Sequence, residues 1–157
     1  MIKKYSFREY SKDFSKIFNR EKSKIKKILP RAKIEHIGST AVEGLGGKGI
    51  VDIAVAVPKK EIKNSIVKLK KIHYDYLISG VDKNRKFLQK VGDKRVHIQL
   101  VYTNSPNWKK MINFRDYLRK NKDAAKEYKE IKKKAVKYAK NNGAKYRKYK
   151  SKFFDKI

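Results

Sequence analysis

The sequence predicts an α+β protein in which helices flank a small mixed β-sheet. An apolar run from Ile50 to Val57, closed by Pro58, is typical of a strand buried on both faces. Arg85–Val91 and Arg95–Tyr102 flank the short Gly92-Asp93 connection, and apolar residues alternate along the second segment, which indicates an antiparallel hairpin. Elsewhere, near both ends of the chain, apolar residues recur at helical spacing.

The other elements of the N-terminal half follow from periodicity and from helix- and strand-breaking residues. Across the first thirty residues, apolar side chains recur at helical spacing until Pro30 stops the run, so a helix is predicted there. After Pro30 we predict in turn a short strand ending at Gly38, a turn or short helix, a longer helix and an irregular segment: 34–37, 40–45, 60–72 and 74–82.

The C-terminal third is predicted to be helical. One helix runs over 108–120, and a second, capped by Asp123, runs to about Lys140 with its apolar residues on one stripe. The segment 141–143 ends that helix, and a last helical piece follows. Because the sequence shows no internal repeat and no sign of a second domain, residues 1–157 are predicted to form a single domain, large enough to bury a core.

Composition excludes several classes of function. Lys and Arg number 44 against 15 Asp and Glu, giving a net charge of +29, and such a field attracts nucleic acid, nucleotides and other anions. The alternative is compositional drift, because the chain is also rich in Ile, Asn and Tyr, as AT-rich genomes tend to encode. The absence of cysteine excludes disulfides, thiolate metal sites and cysteine nucleophiles. Without a long apolar run or a signal-peptide core, we expect a cytoplasmic protein with no membrane segment.

The stretch from His36 to Val57 carries most of the functional information. Gly38 and Ser39 follow a strand end, and Lys48 lies in a glycine-rich connection. Glycine lets a backbone approach a phosphate, a hydroxyl donates a hydrogen bond, and lysine supplies charge. Neither G-x-x-x-x-G-K-[ST] nor a helix-opening G-x-G-x-x-G is present, which excludes the common phosphate loops.

Asp52 is the most informative single residue, because a carboxylate inside an apolar strand is unfavourable unless it is paired, binds metal or reaches an accessible edge. We predict that it binds Mg²⁺, with a buried ion pair to a lysine or arginine as the alternative. A second carboxylate on the same face of the strand would come two residues further on, where this chain has Ala54. The later strand over 95–102 offers His97 but no acid.

Two blocks of this sequence resemble the GrpB family, whose small proteins belong to the nucleotidyltransferase superfamily. The first matches H-I-G-S-T-[AS]-V-P-G-L-x-x-K-P-I-x-D-I at most positions, with Glu43 and Gly49 replacing two prolines. The second, Phe114 to Arg119 followed by Tyr128 and Lys132, is similar to the family's F-R-D-Y-L-R…Y…K. The resemblance covers nearly the whole chain and implies a minimal nucleotidyltransferase-like fold.

The resemblance implies that the protein binds a nucleoside triphosphate with Mg²⁺ and transfers a nucleotidyl group to an acceptor. Asp52 is then both catalytic and the metal ligand, with His97 beside it as a base or ligand. If the strands are neighbours, His36 converges with these two, and Arg85 and Lys86 face the same cleft. The residues expected to bind phosphate or nucleotide are His36, Gly38, Ser39, Thr40, Lys48 and Arg115.

Several alternatives stay open at this point. The site could use one metal with His97 and Lys48, or bind a nucleotide without transferring anything. It could also recruit more distant acids, of which there are three candidates: Glu35, Glu43 and Asp82. Arg115 is equally well explained by a structural salt bridge, in which Asp116 anchors it.

Two functions compete with nucleotidyl transfer. The protein could be a non-catalytic nucleotide-binding module, linked to coenzyme A synthesis because some relatives are fused to dephospho-coenzyme A kinase. It could instead bind nucleic acid through its basic C-terminal helices, since Lys and Arg outnumber Asp and Glu by 19 to 5 over 109–157 and tyrosines interleave. The oligomeric state is not predicted.

Overall fold

The structure, a computed structural model, describes residues 7–77, 84–92, 94–140 and 142–154. Within these ranges it contains five helices: α1 Asp13–Ile28, α2 Ile62–Lys71, α3 Pro106–Lys120, α4 Lys122–Ala139 and α5 Gly143–Phe154. The same ranges contain five strands: β1 Lys33–Ile37, β2 Val51–Val57, β3 Asp75–Leu77, β4 Arg85–Val91 and β5 Arg95–Tyr102.

The strands form one mixed sheet in the order β1-β2-β5-β4-β3, which confirms the α+β prediction. β2 runs antiparallel to β1 and parallel to β5, while β4 runs antiparallel to both β5 and β3. Because β2 lies between two strands and under helices on both faces, six of its seven residues are buried. Asp52 is the exception, being partly exposed.

The two faces of the sheet carry different residues. On one face Ile53, Val55 and Ile98 pack against α1 and α2 in the main hydrophobic core. Side chains alternate along a strand, so Asp52 and its partner in register on β5, His97, point to the opposite face. On that side a second apolar cluster joins the loop after β1 to the three C-terminal helices, through Val42, Leu45, Leu118, Tyr128 and Phe153.

Most predicted elements are found close to their predicted bounds, and the β4–β5 hairpin has the predicted bounds. The helix predicted across the first thirty residues begins only at Asp13, and residues 7–12 are not helical. α3 begins two residues earlier than predicted because Ser105 caps it: its hydroxyl accepts a hydrogen bond from the Trp108 N–H at 3.2 Å, and Pro106 fills the first turn. The prediction that Asp123 caps α4 is wrong. Asp123 lies inside the first turn, and Asn121 occupies the cap position.

The predicted irregular segment 74–82 is wrong in part. Asp75–Leu77 forms the short edge strand β3, paired antiparallel with β4. Residues 78–83, including the candidate acid Asp82, lie outside the described part of the chain, as do Asp93 and Asn141.

Candidate functional site

The turn after β1 lies directly against Asp52. Gly38 has φ +75°, and a Cβ placed there would come within 2.7 Å of Asp52 Oδ2. Any other residue would be strained and would collide with the carboxylate, so glycine is what allows the two to meet. Ser39, whose hydroxyl was predicted to bind phosphate, begins a short 3₁₀ helix over Ser39–Ala41.

The carboxylate of Asp52 has His97 as its neighbour, as the sequence predicted for adjacent strands. His97 Nδ1 lies 3.7 Å from Asp52 Oδ1, and the two side chains are 18% and 26% exposed. Among the described residues, no lysine or arginine nitrogen comes within 4.0 Å of this carboxylate. The described residues therefore do not form the close ion pair between Asp52 and a lysine or arginine that was the alternative.

Helix α4 brings a lysine to the same turn. A Cβ on Gly47 would lie 2.6 Å from Lys132 Nζ and 2.6 Å from Ser39 Oγ, so ammonium and hydroxyl both approach the glycine backbone. The Gly47 backbone is itself fixed by a two-way pairing with Arg8, which precedes α1. The glycine-rich connection therefore provides a surface against which Ser39 and Lys132 converge.

Two more lysines complete a cluster around this point, and we call Lys48, Lys132 and Lys150 the lysine cluster. Lys48 and Lys150 are partly buried, with Nζ atoms 4.9 and 5.4 Å from the ring centroid of Tyr146. Lys132 is only 4% exposed, and its Nζ lies 5.1 Å from the Tyr128 ring centroid. Such cation–π contacts are weakly favourable. Lys132 has no hydrogen bond or ion pair to any described residue.

The surroundings of Lys132 disfavour its positive charge. Burial lowers the pKa of its ammonium well below the usual value, the charges of Lys150 and Lys48 lower it further, and Asp52 opposes them. Burial also lowers the pKa of Lys150, with a partial offset from Asp52. Among the described residues, the field of Asp52 thus favours the charges of both Lys132 and Lys150, against burial and neighbouring cations.

The structure therefore brings together five of the predicted site residues: Gly38, Ser39, Lys48, Asp52 and His97. Sequence reasoning missed Lys132, Lys150 and Tyr146 as members of the site. A signal for Lys132 was available, because Tyr128 and Lys132 lie four residues apart in the second block and hence on one face of α4. No comparable signal distinguishes Lys150 from the other lysines of the C-terminal third.

The predicted convergence of His36 with Asp52 is wrong. The β1 residue in register with Asp52 is Ile37, so His36 points to the other face of the sheet. There its ring stacks on Phe18 with centroids 4.7 Å apart, and its Nε2 hydrogen-bonds the Thr40 hydroxyl at 2.9 Å. Because His36 and Thr40 are both buried in this arrangement, neither is placed to touch a ligand beside Asp52.

Arg115 is held by protein groups. Its guanidinium donates to Glu35 Oε2 at 2.8 Å, to the His36 carbonyl at 3.0 Å and to Asp116 Oδ1 at 3.0 Å. The side chain is 8% exposed. The geometry supports the structural salt bridge, anchored by Asp116, over the ligand contact predicted for this arginine.

The pair Arg85 and Lys86 divides between the two faces of the sheet. Arg85 is in register with Val101, which places it on the Asp52 side, and its Nη1 donates to Gln99 Oε1 at 3.3 Å. Lys86 is in register with Leu100 and faces the main core side. Only Arg85 is thus on the predicted side.

The residues present do not fit a two-metal centre. In the described ranges, no three His, Cys, Asp or Glu side chains come together to hold a metal ion. Of the alternative acids, Glu35 is bound by Arg115 and Glu43 is exposed. Asp52 alone fits a single Mg²⁺ whose other ligands would be phosphate oxygens and water, a common arrangement for this ion. No helix among the described residues has the length and apolar character needed to cross a membrane.

Solved structures of low sequence identity share the fold. A crystal structure of Cid1 poly(U) polymerase with MgGTP bound superposes with a TM-score of 0.56 at 12% identity, over 84% of this chain and 44% of that one. A cytoplasmic RNA terminal U-transferase gives 0.55 at 14% identity, over 84% and 41%. These likenesses show a nucleotidyltransferase-like fold.

Relatives of greater identity match over nearly the whole length. The crystal structure of conserved protein GrpB from Enterococcus faecalis has a TM-score of 0.81 at 28% identity, over 96% of this chain and 98% of that one. The glutamate-rich protein GrpB of Alkalihalophilus pseudofirmus is 32% identical, over 94% of this chain and 90% of the relative. A UPF0157 protein of Vibrio cholerae is 27% identical over 98% and 80%. The family model described as GrpB protein matches residues 4–157, and the chain therefore belongs to the GrpB family.

Proposed function

We propose that the protein binds a nucleoside triphosphate, with the phosphates between the Gly38–Ser39 turn and the lysine cluster. One observation carries the proposal: Lys132 approaches the Gly47 turn in the field of Lys48 and Lys150, while Asp52 has no lysine or arginine nitrogen within 4.0 Å among the described residues. A triphosphate would supply the negative charge that this arrangement lacks.

Each residue has a distinct part in this proposal. Ser39 donates its hydroxyl to a phosphate oxygen, while the lysine cluster offsets the phosphate charge. Asp52 would hold the Mg²⁺ that accompanies the nucleotide, and that ion would stabilise charge on the transferring phosphate. His97, next to Asp52, takes the proton from an acceptor hydroxyl as its oxygen attacks the α-phosphorus and pyrophosphate leaves.

Binding without transfer is the second candidate function. It is favoured by Ala54, which occupies the position where a second carboxylate would project to the same face as Asp52. Such a module would bind the triphosphate through the same lysines but release it unchanged.

A nucleic-acid acceptor is supported by a separate surface. On α4 and α5, Tyr138 is 51% exposed, and its ring centroid lies 5.5 Å from that of Tyr149. Lysines flank both tyrosines along the sequence of the two helices. Exposed aromatic rings among cations are typical of surfaces that bind single-stranded nucleic acid.

Thermal unfolding with each of the four nucleoside triphosphates and Mg²⁺ tests the proposal. A ligand at a hundredfold excess over its Kd should raise the melting temperature by about 5 °C or more. Asp52→Ala should reduce the Mg²⁺-dependent part, whereas Asp75→Ala, at an exposed edge strand, serves as the matched control. No stabilisation by any triphosphate, with or without Mg²⁺, would overturn the proposal. Release of labelled pyrophosphate separates transfer from binding alone.

A further inference from the structure

We propose that the lysine cluster binds the polyphosphate chain directly and needs no divalent cation to do so. The ligand of this site is then the free polyphosphate anion, and the number of its phosphate groups determines affinity. The inference rests on the proposed function, since it describes the same pocket, but it assigns recognition to Lys48, Lys132 and Lys150 rather than to Asp52 and a metal.

The first argument concerns charge. A buried ammonium normally has a carboxylate partner, because an unpaired buried charge is strongly unfavourable. Lys132 is 4% exposed and has no ion pair to any described residue. Lys48 and Lys150 disfavour the charge of Lys132 further, and Asp52 opposes them. An anion with several charges, bound beside Lys132, would stabilise its ammonium.

The second argument concerns geometry. The three lysines come from the loop before β2, from α4 and from α5. Lys48 and Lys150 share the ring of Tyr146, and both act electrostatically on Lys132 beside Gly47. Lys132 Nζ and Ser39 Oγ each lie 2.6 Å from the position that a Cβ on Gly47 would take, so two donors are next to a backbone that carries no side chain. A phosphate oxygen could accept from both of these donors at once.

The third argument concerns the metal. Nucleotidyl-transfer sites that rely on two cations hold them with several carboxylates. Here the described residues provide no group of three potential ligands, and the one suitable acid, Asp52, shares its field with Lys132 and Lys150. Those ammonium groups can neutralise phosphate charge themselves, so binding of the anion does not depend on the single Mg²⁺ that Asp52 could hold. Complexation by Mg²⁺ also removes two negative charges from a triphosphate, and so weakens its attraction to the lysines.

Parts of the site are accessible to solvent. Asp52 is 26% exposed, and Lys48 and Lys150 are only partly buried. Lys132 is more buried than these two lysines, at 4% exposure.

Isothermal titration calorimetry on the full chain tests the inference, with inorganic tripolyphosphate and ATP as probes in EDTA and again in excess Mg²⁺. We expect both probes to bind in EDTA, with affinity no weaker than in Mg²⁺, and we expect affinity to fall from tripolyphosphate to pyrophosphate to phosphate. If ATP binds only in Mg²⁺, the inference is wrong although the proposed function stands. If neither probe binds under either condition, both fail.

Two variants and one control assign the binding to the cluster. Lys132→Met should weaken tripolyphosphate binding in EDTA by about tenfold or more, as expected for loss of a charge-assisted contact. Lys150→Gln changes a less buried position and keeps the test valid if the first variant folds poorly. Lys134→Met, on the exposed side of the same helix, should leave affinity within about twofold, since a distant surface charge is screened. Equal loss in all three variants would mean that general positive charge, and not this cluster, binds the anion.

Discussion

Two buried ionisable side chains, on opposite faces of the sheet, differ in the partners that the protein gives them. Glu21 of α1 is 1% exposed, and its Oε1 accepts hydrogen bonds from Lys90 Nζ at 2.6 Å and from the Tyr74 hydroxyl at 2.7 Å. Arg20 and Lys24 lie 3.5 and 3.6 Å from its other oxygen. Lys132 of α4 is similarly buried but has no ion pair to any described residue.

This difference suggests a structural role for Glu21 and a ligand-binding role for Lys132. Burial raises the pKa of Glu21, but its hydrogen bonds from Lys90 and Tyr74 and the nearby cations lower it by more, so the net shift is downward and the carboxylate stays charged. The protein therefore stabilises that charge with its own groups. At Lys132 the neighbouring lysines add to the effect of burial instead of offsetting it. Such an arrangement makes sense when a ligand supplies the missing charge.

The largest expected effect on stability is at Glu21. Glu21→Ala should lower the free energy of unfolding by about 3–5 kcal/mol, because it leaves Lys90 and Tyr74 without their shared acceptor in a buried place. Urea denaturation measures this, with the exposed Glu43→Ala as the control. A loss below about 1 kcal/mol would show that the Glu21 hydrogen bonds contribute little to stability. Glu21 could then not serve as the example of a stabilised buried charge against which Lys132 is compared.

A second effect depends on pH. Burial, with the charges of Arg119 and Arg115, lowers the pKa of His36 to about 4 from an ordinary 6.5. Between these values the unfolded chain binds a proton that the folded protein does not, so stability falls as pH decreases from 6.5 towards 4. The loss should approach about 3 kcal/mol. Urea titrations at several pH values check it.

His36→Gln keeps a polar group beside Thr40 and Phe18 but cannot titrate, so its pH profile should be flatter over this range. Identical profiles for the variant and the wild type would assign the pH dependence to other groups.

A smaller effect is expected at the turn. Gly38→Ala should lower the free energy of unfolding by about 1–3 kcal/mol, because φ is +75° and the new Cβ meets Asp52 Oδ2 at 2.7 Å. Gly44→Ala is the matched control: its φ is +81°, but nothing lies within 4 Å of the added Cβ. The excess loss at Gly38 over Gly44 measures the contact with Asp52. If the two variants lose equal stability, the close contact between Gly38 and the Asp52 carboxylate does not contribute to the free energy change.

The sequence predicted elements where the pattern is local and strong. The apolar run of β2 and the alternation along β5 predicted the strands that carry Asp52 and His97, and the structure shows that these strands are neighbours. The three-residue edge strand β3 is too short to carry a periodicity. His36 was assigned to the site because chain proximity does not reveal which face a strand residue occupies, and register with Ile53 decided it.

The lysine cluster could not be predicted for a different reason. Its members come from separate parts of a chain in which Lys and Arg number 44, so no single lysine stands out by type. Only the packing of α4 and α5 over the turn brings Lys132 and Lys150 towards Asp52. The second sequence block indicated that Tyr128 and Lys132 belong together, but it did not indicate where they lie.

The most direct test of the account is the stability of Lys132→Met without any ligand. Methionine retains the apolar stem and removes the charge, so the free energy of unfolding should rise by about 1 kcal/mol or more, since replacing unfavourable buried charge with an apolar side chain commonly stabilises. Urea denaturation at pH 7 in phosphate-free buffer measures it. A fall of several kcal/mol, like that expected for Glu21→Ala, would show that the protein already satisfies the Lys132 charge, and would contradict the account.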